Sequence, residues 1–160
     1  MTNYILIDGS YYIFYRFYAI MMWWKNAHKN DPLGEPIENK IFVDKFKHTF
    51  STKLKDFIKK FKIVQPEIIY FKDCPRDTIW RNALFPNYKG NRNYDDFKGG
   101  PFFDLTYKTD LLKNSGIQHL IQFESLEADD CIALTTKKLL KNSNATIYII
   151  TSDMDYLINT

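Results

Sequence analysis

Seven acidic residues in this chain stand where chemistry could use them. Glu127-Ala128-Asp129-Asp130 and Asp153-Met154-Asp155 put five carboxylates into 29 residues, each group beside an apolar run that reads as buried structure. Asp8 and Asp73 each close another apolar run, Tyr4-Ile5-Leu6-Ile7 and Glu67-Ile68-Ile69-Tyr70-Phe71. Buried carboxylates without a counter-charge are costly. The usual counter-charge for an all-oxygen donor set is a hard divalent cation, magnesium or manganese rather than zinc. His28, His48 and His119 all fall outside these motifs. A carboxylate site of this kind points to phosphodiester hydrolysis, in which one cation lowers the pKa of a bound water and a second stabilises the departing oxygen. Glu127 and Asp130, three apart at the start of a helix, share one face, whereas Asp129 points partly elsewhere.

A second stretch supplies the opposite charge. Between residues 74 and 102, Arg76, Arg81, Lys89, Arg92 and Lys98 alternate with Trp80, Phe85, Tyr88, Tyr94, Phe97 and Phe102. Gly90, Gly99, Gly100, Pro86 and Pro101 interrupt them. Cations can hold the phosphates of a single strand while rings stack on its bases. Lys89 and Arg92 could add positive charge to the non-bridging oxygens of a scissile phosphate. A long irregular loop with its aromatics tucked under would show the same composition.

The elements that must position these residues follow from periodicity. Residues 4–7 read as a strand, Asp8-Gly9-Ser10 as a turn, and residues 11–27 as an aromatic helix containing Arg16. Residues 30–39 read as a loop. Over residues 40–61, Phe42, Phe46, Phe50, Leu54, Phe57 and Phe61 recur three or four apart, which predicts a long amphipathic helix. Residues 67–71 form the second strand. Residues 103–113 predict another helix, ended by Asn114-Ser115-Gly116. Residues 117–123 form a third strand, Ser125 is placed as the N-cap of a helix over 126–141, and 145–151 form the fourth strand. A further helix begins at 156. Strands alternating with helices predict an α/β fold with a mainly parallel sheet, which puts Asp8, Asp73 and the Asp153/Asp155 pair at its C-terminal edge.

The bulk numbers fit that picture. At 160 residues, with 45% hydrophobic and 26% charged content, the expectation is one soluble domain with a substantial core. The net charge of +3 conceals a split: with the seven acids set aside, 22 Lys and Arg face 12 remaining acids. A basic shell around an acidic pocket suits a polyanion held beside a metal. Cys74 and Cys131 lack metal-ligand spacing and are expected as free thiols in a reducing, intracellular compartment. No run approaches transmembrane length, and the N-terminus lacks the pattern of a signal peptide, which argues against a membrane or secreted protein.

Taken together and in order, these segments resemble the 5′-3′ exonuclease and flap endonuclease family, whose nuclease domain is PIN-like. Ile5-Leu6-Ile7-Asp8-Gly9 with its aromatic helix is similar to the family's opening strand and first metal aspartate, and Asp73 to its second. Arg81 followed by Tyr88-Lys89-Gly90-Asn91-Arg92 resembles its Arg…Tyr-Lys-x-x-Arg segment. Glu127-Ala128-Asp129-Asp130 and Thr151-Ser152-Asp153-Met154-Asp155 resemble its Glu-Ala-Asp-Asp and Ser/Thr-x-Asp-x-Asp motifs. The resemblance implies a PIN-like (Rossmann-like) three-layer α/β/α domain over residues 1–160, with a short arch or clamp near 86–104. It implies Asp8, Asp73, Glu127, Asp129, Asp130, Asp153 and Asp155 as metal-site acids. Lys89 and Arg92 become catalytic phosphate contacts, and Arg16, Arg81 and Tyr88 further nucleic-acid contacts.

Family members continue beyond this length, with more aspartates for a second metal and a helix-hairpin-helix element that grips duplex DNA. On that basis one Mg²⁺ or Mn²⁺ site is expected complete, the second partial, and the helix-hairpin-helix part absent. The implied activity is 5′-3′ exonuclease or flap endonuclease cleavage of DNA, with RNA as a further substrate, in replication or repair. The alternatives are a nucleic-acid-binding module acting with a replication protein or second chain, and a PIN-type endoribonuclease.

Overall fold

The structure, a computed structural model, describes residues 2–142 and 144–153. These fall into two compact units. Of these, residues 2–11, 64–94, 117–142 and 144–153 lie in one unit, and residues 12–63 and 95–116 in the other.

The first unit contains the sheet. Its strands are β1 (Thr2–Asp8), β2 (Glu67–Phe71), β3 (His119–Ile121) and β4 (Ala145–Ile150), all parallel, in the order β3-β2-β1-β4. The apolar runs make the strands because β-branched and aromatic side chains suit a pleated surface covered by other structure. Leu6 of β1 and Ile69 and Phe71 of β2 turn to the same face and bury Ala128, Cys131 and Ile132 of helix α6 (Ala128–Asn142). Ile147 and Ile149 of β4 complete that face. Register pairs Asp8 with Phe71, and Ile7 with Ile150. The chain therefore leaves β1, β2 and β4 at one edge, with Asp8 the last residue of β1, Asp73 two beyond β2 and Asp153 three beyond β4. Strand order reverses between β1 and β4, the kind of switch point beside which open parallel sheets bind ligands. The predicted α/β class and parallel sheet are as expected.

The second unit is built on α2 (Lys40–Lys60). Asn39 caps it, accepting the Phe42 N–H at 3.0 Å. The predicted stripe is buried through Phe42, Phe46, Phe50 and Leu54, whereas Phe61 lies past the helix end and is exposed. Phe102 of α4 (Gly100–Lys108) sits edge-on to Phe42 and Phe46, with ring centroids 5.5 and 4.8 Å away. Edge-to-face geometry is the preferred aromatic arrangement, and it accounts for much of the phenylalanine content. Among the described residues no helix is long and apolar enough to cross a membrane.

Four local expectations are corrected. Gly9 begins α1 (Gly9–Ala27) directly after β1, with no turn between them; Asp8 itself accepts the Tyr11 N–H at 3.1 Å and acts as the cap. The helix expected over 103–113 is two, α4 and α5 (Leu111–Asn114). The break falls at Thr109, whose hydroxyl donates to the Leu105 carbonyl at 2.6 Å and accepts the Leu111 N–H at 3.3 Å, competing with the helix ladder. The strand expected over 117–123 keeps only three residues, because it pairs on one side alone and the Gln118 side chain takes the Ile68 N–H at 2.8 Å. Ser125 is not an N-cap. Its φ of 66° is left-handed, and its carbonyl accepts the Trp80 N–H at 3.0 Å. The Asn114-Ser115-Gly116 stop is as expected, with Gly116 at φ 85°. The helix expected from 156 lies outside the described residues.

Candidate metal centre

At the C-terminal edge of the sheet Asp73 is the organising residue. Its Oδ2 accepts the Ser10 hydroxyl at 2.5 Å, and its Oδ1 accepts the Ala128 N–H at 2.7 Å. The carboxylate that closes β2 thereby caps α6 from 55 residues away and fixes the helix N-terminus, with its acids, against the strand ends. A helix start favours negative charge, so the arrangement is favourable for both partners.

Asp8 lies among like charges. Burial, with the charges of Asp73, Asp129 and Asp153 added, raises its pKa to about 6, against the pull of the Tyr11 N–H. Carboxylates from the end of β2, the start of α6 and the end of β4 thus all act on Asp8 at one edge. Burial likewise raises Asp129, with Asp130 and Glu127 adding to the shift. Asp129, which the sequence suggested would point away from its neighbours' face, is the tetrad member whose charge acts on Asp8. Asp153 is exposed, and its N–H donates to the Thr151 hydroxyl at 3.1 Å. Asp155 lies outside the described residues.

Glu127 and Asp130 are in a different electrical situation. The Arg81 guanidinium donates to both oxygens of Asp130 at 2.7 Å and to Glu127 Oε2 at 2.8 Å. Lys89 Nζ donates to Glu127 Oε1 at 2.5 Å, the Tyr88 hydroxyl to Glu127 Oε2 at 3.0 Å, and the Trp80 indole N–H to Asp130 at 3.1 Å. Burial alone would raise the Asp130 pKa, but the hydrogen bonds of Arg81 and Trp80 and the charge of Arg81 bring it below the usual carboxylate value. Burial opposes the charge on Lys89 as well, and Glu127 more than compensates, leaving its pKa raised. The Asp130 hydrogen bonds raise Arg81 in turn.

Oxygens of Glu127, Asp129 and Asp130 come within 4.8 Å of one another and so could share a cation. Two of those three acids are already neutralised by Arg81 and Lys89. Asp129, the third, also acts by its charge on Asp8, as do Asp73 and Asp153. All these donors are hard carboxylate oxygens, and the like charge that adds to burial in raising Asp8 is of the kind a divalent cation would relieve.

The basic-aromatic stretch is mostly turns, with one 3₁₀ turn at Arg76–Thr78 and one short helix, α3 (Arg81–Leu84). Lys89 adopts φ 55°, unusual for a residue with a side chain. The Arg76 guanidinium holds it there through its carbonyl at 2.5 Å. Such local strain, typically about 1–3 kcal/mol, persists where surrounding bonds enforce it, and here it aims the ammonium at Glu127. Arg92 is exposed three residues on, its N–H bonded to the Lys89 carbonyl at 3.2 Å.

Arg16 is only 3% exposed, and its guanidinium lies over the Tyr15 ring at 4.5 Å. Ser10, Arg76 and Trp80 belong to this network and were not placed in it by sequence. Ser10 in Asp8-Gly9-Ser10 carried a signal, a hydroxyl two residues after a strand-end acid. Arg76 and Trp80 were visible only as members of a basic-aromatic mixture.

Comparison with known proteins gives the same picture. The family profile described as "5′-3′ exonuclease, N-terminal resolvase-like domain" matches residues 3–158. A 5′-3′ exonuclease of Bacillus subtilis is 31% identical over 154 residues, covering 96% of this chain and 46% of that protein. One from Buchnera aphidicola is 30% identical over 156 residues, covering 96% and 44%. The chain spans about half the length of these relatives. Among solved structures, T5 5′-exonuclease with bound zinc aligns over 98% of this chain and 51% of its own, with TM-score 0.57 and 14% identity. A bacteriophage T5 flap endonuclease variant in complex with DNA and metal ions aligns over 96% and 50%, with TM-score 0.53 and 14% identity. At that identity these structures establish the shared fold.

Proposed function

This chain belongs to the 5′-3′ exonuclease family through its N-terminal resolvase-like domain, and on that premise we propose that it is a divalent-metal-dependent nuclease domain. It cleaves phosphodiester bonds at 5′ ends, flaps or single strands of DNA, and serves replication or repair inside the cell. The observation that carries the reading is the placement of Asp8, Asp73, Asp129 and Asp153 at one sheet edge, where burial first, and the three neighbouring charges after it, raise Asp8. The relatives named as 5′-3′ exonucleases, and the T5 structures with metal ions and with DNA, support it. Two buried free cysteines suit a reducing compartment.

In this reading Asp8, Asp73, Asp129 and Asp153, with Asp155 beside them in sequence, hold Mg²⁺ or Mn²⁺, while Glu127 and Asp130 complete the wall of the site. A bound cation of this class supplies a water of lowered pKa and charge stabilisation for the departing oxygen. The chain's own cations do the positioning. Arg81 is committed to Glu127 and Asp130 and sets the angle of the arm. Lys89 and Arg92 meet the non-bridging oxygens of the scissile phosphate, and the Tyr88 ring faces the terminal nucleotides. Residues 86–104 form a short arch in this proposal, and the 160 residues act as one nuclease domain.

A second reading rests on the ion pairs of Glu127 and Asp130. If those acids stay neutralised by Arg81 and Lys89, the second metal position remains incomplete, and the domain binds nucleic acid in support of a partner without cutting it. One experiment separates the two. The purified chain, given Mg²⁺ or Mn²⁺, should shorten 5′-labelled flap, nicked and single-stranded DNA, and Asp153→Ala should abolish the activity. Retained binding with no metal-dependent cleavage would instead establish the binding module, and a preference for RNA over matched DNA would favour an endoribonuclease.

A further inference from the structure

We propose that α2 carries a second nucleic-acid contact, a cleft that holds the phosphates of the duplex part of the substrate. The inference rests on the nuclease reading above but uses none of its residues. The helix has seven lysines against two aspartates. Lys40 pairs with Asp44 and Lys53 with Asp56, and Lys45 lies over the Trp23 ring. Lys47 and Lys55 have no acidic partner among the described residues, and both are exposed. They line a cleft of about 630 Å³ in the second unit, together with His48, Ser51, Thr52 and the opposing Asp110.

Spacing explains why the two lysines act together. Residues eight apart lie on one helix face, about 12 Å apart along the axis at a rise of about 1.5 Å per residue. That distance is three to four nucleotides of a B-form strand at about 3.4 Å each. Ser51 lies midway on the same face, and Thr52 beside it, offering hydroxyls of the kind that bond phosphate oxygens. Asp110 is the one acid in the lining and subtracts from the field; the rest of α2 more than restores it.

The scarcity of rings selects the ligand. None of the residues lining the cleft is Phe, Tyr or Trp, and His48 is its one ring. A surface for unpaired bases uses aromatic platforms, as the stretch around Trp80 and Tyr88 does. A duplex hides its bases and offers phosphates, which need only cations and hydroxyls. Two kinds of contact, one rich in rings and one made mainly of cations and hydroxyls, would suit a substrate that is partly single and partly double stranded.

The test measures binding by the full chain in EDTA, so that no cleavage intervenes, using a labelled blunt duplex, a labelled single strand, and vesicles containing phosphatidylserine. Replacing Lys47→Gln and Lys55→Gln together should weaken duplex binding roughly tenfold and lower the slope of log affinity against log salt by about 2, at about 0.9 per released charge. Single-strand binding should fall less. Lys53→Gln, on the same helix and already paired, serves as control and should leave duplex binding unchanged. Unaltered duplex affinity and salt slope in the double variant overturn the inference, as does a loss confined to single strands or to vesicles. A wild-type chain that cleaves DNA while the double variant binds duplex normally removes this cleft alone. A wild-type chain that neither binds nor cleaves nucleic acid removes the nuclease reading with it.

Discussion

Asp8 and Asp130 carry the same side chain in the same unit, yet one is raised to about 6 and the other is brought below its ordinary value. The difference lies in what surrounds them. Asp130 is grasped by both arms of Arg81 and by the Trp80 indole. Asp8 receives one backbone N–H and faces Asp73, Asp129 and Asp153. The chain has neutralised with Arg81 and Lys89 the acids that anchor its basic arm, and has set Asp8 in a buried place facing other acids. A buried carboxylate facing like charge is costly to ionise in the metal-free protein, a cost that a bound cation would lower. Within one acidic patch, the lesson is that charge paired with a cation marks architecture, and charge facing like charge marks a proposed ligand site.

The sharpest way to break this contrast is to neutralise each side in turn. Asp8→Asn keeps an acceptor for the Tyr11 N–H, so it should lower metal-dependent cleavage by roughly 1,000-fold while raising the melting temperature of the metal-free protein. Asp130→Asn should do the reverse, lowering stability and sparing more of the activity. Equal activity losses in the two variants, or a destabilised Asp8→Asn, would erase the distinction. Next in size is Arg81→Ala, which strands two partly buried carboxylates. It should cost about 2–4 kcal/mol, read as a lower urea midpoint at unchanged slope. Arg81→Lys should recover only part, because an ammonium cannot match the forked contacts with Asp130.

How much of this was legible in the sequence depends on the range of the interaction. Asp8, Asp73 and Asp153 could be placed at one edge because each ends an apolar run, and parallel strands bring such ends together. The Phe42, Phe46 and Phe50 stripe was equally plain, since a 3.6-residue period is local information. The capping of α6 by Asp73, 55 residues distant, has no local signature. Arg81 and Lys89 read as cations for a phosphate, and that they also pair with Glu127 and Asp130 is something only the fold reveals. The burial of Arg16 is hidden in the same way, because sequence alone does not tell how deeply a helix's cation will be packed. Thr109 breaks a helix that its neighbours' propensities support, through hydroxyl bonds that require the actual backbone.

Stability against pH probes both sides at once, with opposite signs. The folded pKa of Asp130 is depressed, so its contribution is present above the ordinary carboxylate value of 3.8 and is lost as pH falls below it. The folded pKa of Asp8 is raised, so the native state keeps that proton longer than the unfolded chain. Stability then declines as pH climbs from about 4 to about 6 and levels off above. Asp129, also raised, adds to the decline. The metal-free protein should accordingly be most stable near pH 4 as far as these groups decide it, losing about 3 kcal/mol by neutral pH from Asp8. Added Mg²⁺ or Mn²⁺ should stabilise more as pH rises, because the ligands must shed protons to bind. A metal-free protein that gains stability steadily from pH 4 to 7 would show that Asp8 is not raised by burial and like charge.

The smallest expected effect refines the anchored side. Trp80 is 43% exposed, so its indole N–H competes with water for Asp130 even as it reaches Oδ2 at 3.1 Å. Trp80→Phe keeps a ring for the Arg81 guanidinium, whose carbon lies 4.8 Å from the ring centroid, and deletes only the donor. The cost should be about 0.5–1 kcal/mol. The acid limb of the stability profile should also move slightly upward in pH, as Asp130 loses one of the bonds that hold its pKa down. Activity should change little, because Arg81 still occupies both oxygens. If Trp80→Phe instead cost as much as Arg81→Ala, the indole rather than the guanidinium would be fixing the start of α6. The neutralised half of the site would then depend on a hydrogen bond and not on charge.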